Sequence, residues 1–250
     1  MMRSGLIISI AVAALLLSLT AGSQNTTLPD FDPSAAERHF REENPNRFSK
    51  SLHEFERYPD GARGFGVGIP MVHRVALPDP LPPPFKTERE WETYYVYCGW
   101  DAIVRATQVD STPILTSNQG LVYTVSHFVV EDTIKSDIPY TPGQHLVVYR
   151  VGGEVDDGGE KVQIVTLDMA AFEPQKSYIL ILRRDKNASV QQYWIPETQT
   201  IVVTDGKVYP ISGKIAWLSG MEAFPTGTTY TALRNTFAKV RALKSCSDAR

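Results

Sequence analysis

Alternation of apolar and polar positions is clearest between Cys98 and Lys135, where two β-rich runs, Ala102 to Val109 and Gly120 to Val130, flank a connection of Thr, Pro, Ser, Asn and Gln. Successive side chains on a strand point to opposite faces, so this pattern predicts a strand, a loop and a long strand. Further strand-like runs follow at His145 to Val151, Lys161 to Leu167, Ser177 to Leu182, Val190 to Ile195, Thr200 to Thr204 and Lys207 to Ile211. The nearly unbroken apolar run SYILIL at 177–182 predicts a central strand. Glycines and acids in GGEVDDGGE predict a hairpin connection between the runs on either side, and Asp205-Gly206 predicts a two-residue turn. After Gly220 the period changes. Leu233, Phe237, Val240 and Leu243 recur at helical spacing within Thr229 to Ser245, which predicts an amphipathic C-terminal helix. Thr87 to Tyr97 reads as a shorter helix, with Thr87 as cap and Glu90 completing a capping-box pattern.

The N-terminal part lacks such a core signal. Ala36 to Glu43 and Ser51 to Arg57 flank an Asn-Pro-Asn breaker and could form two short helices. Their apolar stripe is thin, comprising Phe40, Phe48, Leu52 and Phe55, so they are expected to lie on the main domain or to stay partly mobile. GARGFGVG at 61–68 is followed by Ile69-Pro70 and not by a helix. A phosphate-cradling loop needs a helix N-terminus there, so a flexible or closely packed loop is expected. Six prolines between Pro70 and Pro84 predict an extended wrap over the surface. No internal repeat is visible.

Residues 1–23 carry Arg3, a nearly continuous apolar run from Leu6 to Leu19, and small residues at Ala21, Gly22 and Ser23. An apolar run of about 14 residues is short for a bilayer span and has the layout of a cleavable leader. Export is therefore expected, with an uncleaved anchor as the alternative; the absence of a nearby cysteine argues against a lipid anchor. The expected organisation is a signal peptide at 1–23, an irregular extension at 24–94, a β core at 95–219 and a C-terminal helical segment packed on it at 220–250. Without the leader, 24 basic side chains face 28 acidic ones, a net charge of −4. The basic residues are scattered, so neither a nucleic-acid footprint nor an anionic-membrane patch is evident.

Two cysteines, Cys98 and Cys246, travel with an exported chain. They could form a disulfide, or remain two buried thiols. Neither lies in a CxxC pattern or close to a histidine, which counts against a zinc site or a redox dithiol. Of the five histidines, His127 and His145 fall on expected core strands that could bring them together for a metal, but no third ligand is indicated. Ser126 beside His127, with Asp132 or Asp168 as orienting acid, suggests a hydrolase. Neighbouring strand residues face opposite ways, however, and there is no G-x-S-x-G elbow. Glu154, Asp156 and Asp157 lack calcium-loop spacing and read as a solvated turn. Trp91, Tyr94, Tyr95, Tyr97 and Trp100 read as packing in preference to a ligand platform. Asn25-Thr26-Thr27 and Asn187-Ala188-Ser189 match the glycosylation acceptor pattern, which matters in a eukaryotic host.

Cys98-Gly99 with Asp101-Ala102-Ile103-Val104, Val122-Tyr123-Thr124, Phe128, Val130, Ile134-Lys135, Tyr149 to Gly153 and Tyr178-Ile179-Leu180 resemble the pattern of an uncharacterised exported bacterial protein family. More distantly they are similar to netrin-like, tissue-inhibitor-of-metalloproteinase domains. The resemblance covers about residues 95 to 185 and implies a shared OB-fold core. Inhibitors of that type reach a target's metal through a cysteine at the mature N-terminus. The region around Gln24 has none, so inhibition is not implied.

The expected fold is therefore mainly β: an OB-like Greek-key barrel of five or more strands, with an irregular Pro-rich N-terminal extension and a C-terminal α-helix. A secreted or periplasmic, non-enzymatic binding or interaction protein is the favoured reading, its partner a protein or small-molecule ligand. Nucleic acid and a stable membrane span after signal cleavage are not expected. A secreted hydrolase and a structural envelope protein are the alternatives. No catalytic, cofactor or metal residue is assigned, and the residues singled out are Cys98 and Cys246. A binding module predicts an exposed apolar or aromatic groove, a hydrolase a deep pocket with converging His and carboxylate groups, and an envelope protein a flat, self-associating surface.

Overall fold

The computed structural model describes residues 31–43, 56–57, 63–67, 80–116, 121–166, 171–195, 200–210 and 227–246. Its helices are α1 (Pro33–Glu43), α2 (Glu88–Gly99) and α3 (Tyr230–Leu243). The strands are β1 (Glu56–Arg57), β2 (Arg63–Val67), β3 (Ala102–Leu115), β4 (Val122–Ser136), β5 (His145–Val151), β6 (Gly153–Asp157), β7 (Glu160–Thr166), β8 (Ser177–Arg184), β9 (Gln192–Trp194), β10 (Thr200–Thr204) and β11 (Lys207–Pro210). The expected leader at 1–23, the sequon at Asn25, His53, His73 and Asp168 all lie outside the described residues.

The main sheet runs β11-β10-β8-β3-β4-β5-β9, and β9 also pairs with β8. That contact, Arg183↔Trp194 and Arg184↔Tyr193, bends β3, β4, β5, β9 and β8 into a partial ring. All its pairs are antiparallel except β5 with β9. Register shifts at Ile103/Val104, Arg105/Ala106 and Gln108/Asp110 interrupt the β3–β4 ladder. Such bulges add local twist and bend, which lets two long strands curl.

Strand alternation then assigns each face. Ala102, Val104, Ala106, Phe128, Val130, Leu146, Val148, Tyr178, Leu180, Leu182 and Tyr193 form one buried cluster inside the ring. Small Ala106 sits opposite Tyr178 and Val130. Phe128 meets Tyr178 and Phe172 edge-on at centroid distances of 6.2 and 5.1 Å, the geometry aromatic quadrupoles favour. The intervening residues Ile103, Ile179 and Ile181 point outward, under α2 and α3, with Leu233, Phe237 and Val240. SYILIL is thus apolar on both faces because β8 is buried on both. A third cluster joins Tyr123, Val125, Val147 and Tyr149 to Ala36 and Phe40 of α1 and to Val162 and Ile164 of β7.

Both main helices begin at threonine caps, of which Thr87 was the one expected. Thr87 Oγ1 accepts from the Glu90 N–H at 3.2 Å, and Thr229 Oγ1 from the Ala232 N–H at 3.2 Å. The return bond from Glu90 goes to the Lys86 N–H at 2.8 Å, one residue before the cap. Cys98 and Cys246 form a disulfide, which ties the end of α2 to the chain just beyond α3.

Several expectations are corrected. GGEVDDGGE does not join two paired neighbours: β5 pairs with β4 and β9, while β6 pairs with β7 in a second sheet of order β1-β2-β7-β6. The chain changes sheets at Gly152 and Gly153, with φ of 114° and 137°, a backbone region that L side chains rarely adopt. GARGFGVG is not simply a loop, since Arg63–Val67 is β2, parallel to β7. Backbone bonds to β7 supply what its apolar pattern lacks. Glu56 and Arg57, expected at the end of a helix, pair with Arg63 and Gly64 as β1. In the described end of the proline run, the Phe85 N–H bonds the Pro82 carbonyl at 3.1 Å, closing a turn where extended chain was expected. Leu243 leaves the helical stripe and is 40% exposed.

Candidate functional site

Three elements converge beside the ring to form a cleft of about 520 Å³. Helix α1 supplies His39 and Glu42, the end of α2 and its exit supply Tyr95, Cys98, Gly99 and Asp101, and the end of β8 with the following loop supplies Arg183, Arg184, Lys186 and Asn187.

Part-buried and exposed polar bonds hold the first and third elements together. Asp32 caps α1, its Oδ1 accepting from the Ala35 N–H at 3.0 Å and its backbone carbonyl from the Ala36 N–H at 3.1 Å. Its Oδ2 accepts from the Ser189 N–H at 3.3 Å and from the Ser189 hydroxyl at 3.1 Å. These donors, the Ala35 N–H foremost, hold the Asp32 carboxyl below its ordinary value. Gln192, fully buried, accepts from the Asp32 N–H at 2.8 Å, while its amide donates to the Asp32 carbonyl at 3.1 Å and to Asp185 Oδ2 at 2.9 Å. Buried Asp185 also accepts from the Tyr149 hydroxyl at 3.0 Å and the Asn187 N–H at 3.0 Å. A surface helix and a loop some 150 residues apart in sequence are thereby fixed against each other.

Lys135 fixes the second element. Its ammonium donates to the carbonyls of Tyr97 at 2.6 Å, Cys98 at 3.4 Å and Trp100. The last carbonyls of a helix carry partial negative charge and lack intrahelical partners, so a cation there satisfies and neutralises them. Cys98 lines the cleft; its partner Cys246 lines a second one of about 470 Å³ with Lys135, Arg241 and Lys244.

Inside the first cleft the side chains are mostly polar, contrary to the apolar or aromatic groove expected of a binding module. Asp101 Oδ2 accepts from the Arg184 N–H at 3.0 Å, and Arg184 Nη1 lies 3.4 Å from Asp137 Oδ2. Arg183 stacks over the Trp100 ring at 4.9 Å. Glu42 Oε2 accepts from the Asn187 amide at 3.1 Å, and Arg38 donates to the Asn187 carbonyl at 3.3 Å. His39 packs edge-on against Trp194 at 5.6 Å and is only 8% exposed. Its Nε2 is buried with no hydrogen-bond partner among the described residues.

The residues suggested by sequence lie elsewhere. Ser126 and His127 point to opposite faces: Ser126 Oγ is 2.6 Å from Ser111 Oγ at the inner side, whereas His127 Nδ1 is 2.5 Å from Asp110 Oδ1 at the outer side. Of the two acids suggested for that histidine, Asp168 lies outside the described residues and Asp132 is engaged elsewhere. Asp132 accepts from the Tyr230 hydroxyl at 2.8 Å and pairs with Arg234 at 3.0 Å. His145 pairs opposite Val129, two residues along from His127. Among the described residues no group of three or more His, Cys, Asp or Glu side chains could hold a metal. Glu154 pairs with Lys161 at 2.8 Å, and Asp156 accepts from the Gly159 N–H at 2.7 Å, as a solvated hairpin turn would have it. Most of the aromatic cluster packs, with Trp91 and Tyr94 against Phe85 at 5.2 and 4.8 Å. Tyr95 is the exception, 39% exposed at the cleft.

The cleft residues His39, Arg183, Arg184 and Lys186 were not read from sequence as a site. Three cations within RRDK, directly after the apolar run SYILIL and spanning the end of β8, were the visible signal. Compared with known proteins, the chain matches no family model, no curated protein and no solved structure.

Proposed function

We propose that the protein is an exported, non-enzymatic binding protein with an OB-like Greek-key barrel, and that its ligand sits in the cleft between α1, the end of α2 and the β8–β9 loop. The barrel reading is supported by the order β3-β4-β5-β9-β8 with its single parallel pair, a closure suited to a five-stranded Greek key. Export is supported by the apolar leader at residues 6–19 and by a disulfide, a bond that persists in oxidising compartments. No described helix is long and apolar enough to cross a membrane. A binding role is favoured over hydrolysis because the one serine–histidine neighbour pair is split across two faces of β4.

The observation that carries the assignment is the cleft itself: polar, concave, and walled by three elements that part-buried hydrogen bonds lock in place. Such preorganisation reduces the ordering cost of binding. A thermal-shift screen of neutral, cationic and anionic small molecules, run on the mature chain and on Gly99→Trp, which fills the cleft without adding charge, tests it. A ligand of this site raises the melting temperature of the wild type but not of the variant, and mass spectrometry recovers it unchanged. Equal stabilisation of both proteins would place binding elsewhere, and chemical conversion of the ligand would make the protein an enzyme.

A further inference from the structure

We infer that the cleft recognises an oxyanion, the phosphate or carboxylate group of a small molecule, with Lys186, Arg183 and His39 as the groups that meet it. This rests on the reading above that the cleft is the ligand site.

Charge gives the first reason. Arg183, Arg184 and Lys186 face two carboxylates, Glu42 and Asp101, in the cleft wall. Each carboxylate already accepts a hydrogen bond from the β8–β9 side, from the Asn187 amide and the Arg184 N–H respectively. Arg184 lies 3.4 Å from Asp137, outside the cleft lining. Lys186 is exposed and has no ion-pair partner among the described residues, and stacking on Trp100 holds Arg183 in position. Arg38 on α1 adds a further cation at the rim, bonded to the Asn187 carbonyl. A helix C-terminus would ordinarily repel an anion. Here Lys135 occupies the carbonyls of Tyr97, Cys98 and Trp100, so the α2 wall does not present bare carbonyl charge.

The second reason is independent of charge. His39 is more than nine-tenths buried, lines the cleft, and leaves Nε2 without a partner. A buried polar atom in that state costs free energy that a hydrogen bond would recover. In the tautomer carrying hydrogen on Nε2 it donates, which suits a phosphate or carboxylate oxygen. Ammonium, guanidinium and imidazole N–H groups from two different elements thus line one cleft, the donor set that charge-assisted recognition of an oxyanion uses.

Titration calorimetry of the mature chain with inorganic phosphate, and separately with citrate, at constant ionic strength set by sodium chloride, tests the inference. Saturable binding of either supports it. Phosphate alone points to phosphate esters, citrate alone to carboxylic acids. Lys186→Glu, a change in an exposed loop, is expected to weaken binding by roughly tenfold or more, since one charge-assisted contact is worth over about 1.4 kcal/mol. Glu42→Gln removes a competing negative charge and is expected to tighten it. His39→Gln, which retains a side-chain N–H, is expected to bind more tightly than His39→Ala. Absence of saturable binding, or equal affinity in wild type, Lys186→Glu and Glu42→Gln, overturns the inference. A neutral ligand blocked by Gly99→Trp would overturn it while leaving the cleft as a binding site.

Discussion

Lys135 shows how one side chain can fix an element it does not belong to. It stands near the end of β4, yet its ammonium caps α2 through three carbonyls and lies 5.3 Å from the centre of the Tyr97 ring. Lys135→Met keeps the apolar stem and removes the charge, leaving those carbonyls to find water in a half-buried place. Hydrogen bonds to a charged group are worth about 1.5–3 kcal/mol, so urea unfolding should show a loss of that size. For a chain of this length the melting temperature should fall by roughly 3 to 12 °C. A loss below about 0.5 kcal/mol, the range of ordinary surface substitutions, would mean that water replaces the ammonium fully. The Ile134-Lys135 pair belongs to the motif set that suggested the family resemblance. Its sequence marked a strand end, and the helix-capping role depends on a three-dimensional neighbour 35 residues away.

At the scale of elements, α1 depends on its cap more than on its apolar stripe. Asp32 closes the first turn and also holds Ser189 of the β8–β9 loop. Asp32→Ala should cost about 1–2 kcal/mol, as for other lost caps. Faster hydrogen exchange should be confined to α1 and residues 185–192, and uniform loosening of the ring would refute the assignment. The carboxyl's folded value is depressed, so its contribution is present above the unfolded carboxyl value of about 3.9 and is lost as pH falls through the folded one. Acid should therefore release this corner below about pH 4. Much of the element pattern was legible in sequence. Thr87 and Thr229 mark their helices, and SYILIL marks a strand buried on both faces. β2 was not, because glycines hide a strand whose order comes from β7. The cleft was not legible either: a polar helix, an aromatic helix end and a basic loop share no local pattern, and only folding brings them together.

Across the whole molecule, three apolar clusters surround one sheet, and buried phenols report on each. Tyr123 lies between α1 and the outer face of β4 and β5, Tyr178 and Tyr193 lie inside the ring with Tyr140 against them, and Tyr230 packs at the start of α3. In all five, burial is the leading cause that raises the phenol above its ordinary value; at Tyr230 the hydrogen-bonded Asp132 carboxylate adds to it. The unfolded chain ionises its tyrosines near pH 10. The phenols' contribution to stability is therefore complete below that pH and declines as pH rises toward the folded values. Shared strands join the clusters: β3 and β8 have one face in the ring and the other under the helices, while β4 and β5 have theirs against α1 and β7. Loss of one cluster exposes a face of the next. An alkaline titration followed by phenolate absorbance should show the exposed tyrosines ionising first. These five should follow in one cooperative step coincident with loss of β-sheet circular dichroism. Two resolved steps, with the Tyr230→Phe variant lacking one of them, would show instead that the helical layer and the ring unfold as separate units.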